Sequence, residues 1–153
     1  MEIRGYDIKL NNQLWSYEFC SEGPKGKIKK IVQFFRFTME GREYFNLFLG
    51  DWDEEINSAN DFIVSNNQDS QKVLVTVAQI VLEFTKCFPN ATIYAKGNTP
   101  SRTRLYQMGI SKYWFEISEL FTVLGQINNK WQLFLKNVNY DAFMVYRKNN
   151  VYL

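Results

Sequence analysis

A chain of 153 residues is long enough to bury roughly 70% of the surface its unfolded form exposes, so it needs no disulfide or metal to hold a core. Its 46% apolar and 17% aromatic content, with 13 Phe, 9 Tyr and 4 Trp, excludes a disordered chain. Its 18 Lys and Arg against 16 Asp and Glu leave +2, which excludes a chain-wide basic surface, and the lack of any His excludes Ser-His-Asp, Cys-His and H-E-x-x-H chemistry.

Residues 1 to 13 hold no continuous apolar core behind their charges, and nowhere do 18 apolar residues run together, so the expected compartment is the cytoplasm, without a membrane partner. Trp15, Tyr17 and Phe19 alternate with Ser16, Glu18 and Cys20, the period of a strand with one aromatic face. SEGPKG at 21 to 26 reads as a turn. The β-branched and aromatic run KIKKIVQFFRFT from Lys27 to Thr38 reads as a second strand, and Tyr44 to Leu49 returns it after a turn around Gly41.

GDWDEEINSAND at 50 to 61 is polar and aperiodic and predicts a surface loop, with a short strand from Asp61 to Ser65 after it. Asp69 or Ser70 is placed to cap a helix. Val73, Val77, Ile80, Val81, Phe84 and Phe88 then recur at helical spacing until Pro89, which predicts an amphipathic helix of about 18 residues. Ala91 to Lys96 reads as a strand. Thr99 and Pro100 open a second, shorter helix at its cap and first position, with Gly109 where a helix can end.

Between Tyr113 and Phe121 the spacing fits a turn or two of helix passing into a strand near Glu119, although a strand is also open. Asn128 and Asn129 make a hairpin to KWQLFLK, and Ala142 to Lys148 forms the last strand. The fold class is α+β: a strongly aromatic antiparallel sheet with one long amphipathic helix and a second shorter one packed on it, in a single domain over 1–153. Cys20 and Cys87 read as small core residues kept reduced.

The corner from residue 96 to 104 is the segment whose chemistry most suggests a ligand. A strand, a Gly-Asn-Thr-Pro turn and a helix N-terminus present amides to solvent, and Lys96, Gly97, Asn98, Thr99, Ser101, Arg102 and Arg104 form a candidate site for phosphate, carboxylate or sulfate. Arg102 is the first choice, because residues two apart on a helix do not share a face. The plainer reading is that Thr99 and Ser101 satisfy the helix end themselves while the arginines pair with the acidic loop at 51 to 55.

Lys25, Lys27, Lys29 and Lys30 lie beside aromatic residues and suggest a rim for single-stranded nucleic acid, or else the charge protection of an edge strand. DWDEE at 51 to 55 alternates its carboxylates, but Ile56 and Phe62 break the calcium-loop pattern, so it reads as a solvated loop and no metal site is expected. Tyr106 could serve as an acid and Glu18, Glu83 or Glu116 as a base, yet no spacing singles out any of them, and Tyr106 is equally read as a half-buried packing residue.

In EFCSEGPKGKIKKIVQF, LGDWDEE with SNNQDSQKVLVTVA, and YAKGNTPSRTRLYQMGISKY the chain resembles an uncharacterised bacterial family found mostly in Bacteroidetes. The likeness spans nearly the whole chain and implies a compact domain without implying a mechanism. Asn98, Leu105-Tyr106 and Gly109-Ile110 are also similar to a late motif of the GNAT acyl-CoA N-acyltransferases, which would make Tyr106 a general acid toward a departing thiolate. Against that resemblance, NNQDSQKV lacks the glycines of the family's pyrophosphate loop. These readings converge on a binding domain that uses no cofactor, taking a small anionic ligand or an acidic protein partner at the corner. Self-association through aromatic strands and acyltransferase activity stand as alternatives.

Overall fold

The computed structural model describes residues 4–11, 15–55, 58–60 (backbone only) and 67–148. It is an α+β structure with mostly antiparallel strands and three helices, divided into two compact units: residues 1–35 with 47–84, and residues 36–46 with 85–153. The expected strand at 61–65 lies outside the described residues.

In the first unit β1 (Lys9–Asn11), β2 (Ser16–Gly23), β3 (Gly26–Met39) and β4 (Arg42–Asp53) are hydrogen-bonded neighbours in that order, and β5 (Ser58–Asn60) pairs with β4. The last residues of β3 and the first of β4 belong to the second unit. The alternation in β2 holds from Tyr17 to Cys20, where Tyr17 and Phe19 are buried while Glu18 and Cys20 are not, but Ser16, expected on the outer face, is buried too. Pro24 and Lys25 make a two-residue turn, tighter than the six-residue turn expected, because β2 and β3 keep pairing up to Gly23 opposite Gly26.

Three expectations are corrected here. The stretch 50–61 is no continuous loop, since β4 extends through Asp53 and β5 pairs back against it. β3 is not an edge strand, because β2 and β4 flank it. Cys20 and Cys87 are exposed and free rather than core residues: Cys20 lies on the open side of β2, and Cys87 is the last residue of its helix.

Helix α1 (Ser70–Cys87) buries Val73, Val77, Ile80 and Phe84, and Phe84 stacks on Phe34 at 3.9 Å between centroids. Val75, Thr76 and Thr85 are buried too, so the helix is covered over more of its circumference than the apolar stripe alone. A polar knot ties α1 to the hairpin. Tyr6 and Ser21 both donate to Asp69 Oδ2, at 2.7 and 2.5 Å, while Tyr6 N–H donates to Thr76 Oγ1 at 2.8 Å.

Burial is the main cause that raises the Tyr6 phenol above its ordinary value, opposed by its bonding to the Glu22 backbone and reinforced by the Asp69 carboxylate. The folded state therefore favours the neutral phenol. Its contribution to stability is complete below the unfolded value of about 10 and is lost as pH rises through the higher folded value. Unfolding free energy measured from pH 8 to 11.5 (about those limits) should fall at the alkaline end, and Tyr6→Phe should flatten that fall.

In the second unit the order is β4, β6 (Thr92–Ala95), β9 (Ala142–Arg147), β7 (Phe121–Ile127) and β8 (Lys130–Leu133), with α2 (Pro100–Lys112) and α3 (Trp114–Leu120) between β6 and β7. The segment before Phe121 is thus helical, as favoured. Gly109 does not end α2, which runs on to Lys112, where the Tyr113 amide still finds the Gly109 carbonyl. Glu40 with Gly41 (φ 53° and 77°), and Asn128 with Asn129 (φ 52° and 63°), close two-residue hairpins of the left-handed kind whose twist matches the strands.

Register separates the two faces of this sheet. Ile93, Val123 and Phe143 are buried on one face, and Phe143 packs with Phe134 and Tyr140 at 6.2 and 6.0 Å. The other face carries Tyr94, Met144 and Leu124 in line, with Gln126 opposite Trp131.

Candidate binding cleft beside the second helix

The start of α2 is built as its residues require. Thr99 is extended at the cap, its Oγ1 accepts from the Arg102 amide at 3.2 Å, and Pro100 occupies the first turn, where no N–H is needed. Thr103 completes the corner. Its amide donates to the Thr99 carbonyl at 3.1 Å, and its hydroxyl accepts from the Gly97 amide at 3.0 Å. Gly97 permits that approach, since a Cβ there would come within 2.4 Å of Arg102 Cβ.

This geometry corrects the expected anion trap. The amides of Gly97, Arg102 and Thr103 are taken by the protein itself, and Arg102, the first choice, is buried at 7% exposure with its stem packed against the turn. What remains is a neighbouring cleft of about 590 Å³. Lys96, Gly97, Asn98, Thr99, Ser101 and Arg104 line it and Arg102 does not, so six of the seven expected residues share one cavity.

Pro100, Thr103 and Gln107 of α2 also line it, and the far wall comes from distant sequence: Gln126, Asn129, Asn139, Tyr140 and Asp141. Gln107 holds that wall in place. Its Nε2 donates to the Val138 carbonyl and its Oε1 accepts from the Tyr140 amide at 3.0 Å, so one side chain clamps the loop before β9. The Tyr140 hydroxyl accepts from Gln132 Nε2 and the Leu135 amide, both at 2.9 Å, and the Asp141 amide reaches the Gln126 carbonyl at 2.8 Å. The cleft therefore has a hydrogen-bonded loop as one wall and carries two cations, one carboxylate and several amides.

The four lysines of the proposed rim do not form one surface. Lys30 is buried and pairs with Asp51 at 2.5 Å, while Lys29 pairs with Glu18 at 3.2 Å and lies 4.6 Å from the centre of the Trp52 ring. Lys25 and Lys27 are exposed. DWDEE is no uniformly solvated loop either, since Asp51 is only 2% exposed inside β4. Tyr106 is buried on α2 and does not line the cleft, and neither do Glu18, Glu83 and Glu116. Among the described residues no cluster of three or more Cys, Asp or Glu could hold a metal, and no helix is long and apolar enough to cross a membrane.

Charge is divided between the two units in a way that the net +2 conceals. Residues 36–46 and 85–153 carry 11 Lys and Arg against 5 Asp and Glu, a net of +6; residues 1–35 and 47–84 carry 7 against 11, a net of −4. The cleft lies in the positive unit.

Fold and cleft together define an α+β domain with a polar cavity walled by a helix start and a clamped loop. The chain belongs to a family of unknown function, DUF6934, whose model matches residues 2–148. No curated protein and no solved structure matches it.

Proposed function

We propose that this protein is a cytoplasmic binding domain whose cleft receives a small anionic molecule of the phosphate type. The observation that carries the reading is the placement of Lys96 and Arg104 in the lining of one cavity in a unit of net charge +6. Side chains, rather than helix-terminal amides, do the holding. Lys96 and Arg104 supply charge, Ser101 and Asn98 supply polar contacts, and Asp141 in the same lining favours a ligand that also offers a hydrogen-bond donor.

Titration calorimetry with inorganic pyrophosphate and with a nucleoside monophosphate checks this. Arg104→Ala and Lys96→Ala should each weaken binding by about tenfold to a hundredfold, since a charge-assisted bond contributes roughly 1.5–3 kcal/mol. Arg102→Ala should act through stability, leaving affinity within about threefold. Failure of the wild-type protein to bind either probe, or loss of binding in Arg102→Ala alone, would overturn the assignment.

A further inference from the structure

On the open face of the second unit four rings follow one another across the strands. Phe37 stacks on Tyr44 with centroids 5.4 Å apart, Tyr94 meets Phe37 edge-on at 6.3 Å, and Trp131 meets Tyr94 edge-on at 6.1 Å. All four are half-buried, so each keeps part of its ring in solvent. Buried Met144 lies in register between Tyr94 and Leu124, and buried Ala142 lies opposite Gln126 on the same face, so the row stands on a packed floor. Aromatic rings held rigidly on a sheet lose little entropy when another flat ring stacks on them.

Polar residues around the row complete the pattern. Thr92, Thr122 and Tyr146 share the face by register and supply hydroxyls, and Gln126 supplies an amide. Arg42, two residues from Tyr44 along β4, is exposed, and the face so defined carries no Asp or Glu among the described residues. A partner that offers planar rings together with negative charge suits it, and the net +6 of this unit favours the same sign.

We infer that this sheet face binds single-stranded nucleic acid, with bases stacked on Trp131, Tyr94 and the Phe37–Tyr44 pair and phosphates drawn by Arg42 and the field of the unit. Unpaired bases suit it because a duplex hides its ring faces in its own stack. The surface is distinct from the cleft beside α2, apart from Gln126, which borders both.

The test is fluorescence anisotropy of a labelled oligodeoxythymidylate of about 12 nucleotides in low salt, against a duplex of equal length. Single-strand binding should exceed duplex binding, and Trp131→Ala and Tyr94→Leu should each weaken it about tenfold. Arg42→Ala should make the salt dependence shallower by about one unit of slope. Circular dichroism and melting curves establish that each variant folds, and retained pyrophosphate binding by Trp131→Ala separates the sheet face from the cleft. The inference is overturned by an absence of oligonucleotide binding in the wild type, by unchanged affinity in both ring variants, or by a concentration-dependent dimer, abolished by Trp131→Ala, that leaves the face closed to oligonucleotide.

Discussion

Replacing Lys30 by alanine is expected to lower the unfolding free energy by about 3–5 kcal/mol, the largest effect of any exchange of a charged residue in this chain. Lys30 and Asp51 are both buried, their Nζ and Oδ1 atoms stand 2.5 Å apart, and Asp51 Oδ2 has no hydrogen-bond partner among the described residues. Truncating the lysine leaves a carboxylate in a low-dielectric setting with neither a counter-charge nor full hydrogen bonding. At roughly 2–4 °C per kcal/mol for a chain of this size, the melting temperature should drop by about 10 °C. The double variant Lys30→Met with Asp51→Leu should recover most of that loss, because two apolar side chains of similar volume remove the desolvation penalty together with the attraction. A Lys30→Ala protein that melts within about 2 °C of wild type would mean that water reaches the pair.

The second large effect is expected at Gly23. A Cβ there would lie 2.1 Å from the Asn67 carbonyl oxygen, and a backbone atom cannot swing aside as a side-chain tip does. Asn67 is itself fixed on three sides. Its Oδ1 accepts from the Lys25 amide at 2.7 Å, and its Nδ2 donates to the Gly26 carbonyl at 2.9 Å and to Ser21 Oγ at 3.2 Å. The alanine must therefore displace either the hairpin turn or the residue that binds it. Gly23→Ala should cost about 3 kcal/mol, and Asn67→Ala, which removes three hydrogen bonds from the turn, about 2–3 kcal/mol. Because both act on one junction, the double variant should lose less than the sum of the two, as read by denaturant titration. Full additivity would place the two residues in separate interactions.

The parts of the fold legible in the sequence are those written in local signals. Thr99-Pro100 marks a helix start because cap and first turn each demand a particular residue type, and Asn128-Asn129 marks a hairpin because both tolerate the left-handed conformation. Long-range pairing leaves no such mark. Lys30 and Asp51 read as surface charges until β3 and β4 bring them together, and a three-residue strand such as β1, in KLN, is too short to show a period.

The cleft divides in the same way. Its first wall is one continuous segment and could be read from the corner, whereas Gln126, Asn129, Asn139 and Asp141 join it only through the β7–β9 pairing and the Gln107 clamp. Arg102 and Arg104 show the limit of spacing arguments. The spacing says that they point apart, but burial decides that Arg102 is the one turned inward. The charge division is written in the sequence, since residues 85–153 alone carry 9 Lys and Arg against 3 Asp and Glu while 47–84 carry 1 against 7, but only the unit boundary shows where to divide the count.

The central claim is that the cleft beside α2 holds an anion through Lys96 and Arg104, and amide NMR spectra recorded during titration with pyrophosphate test it most directly. Shifts that saturate and are concentrated at residues 96–104, Asn129 and 139–141, and that vanish in Arg104→Ala, are the predicted result. Shifts spread over exposed lysines of both units without saturation, or gathered around Lys25 and Lys27, would contradict it.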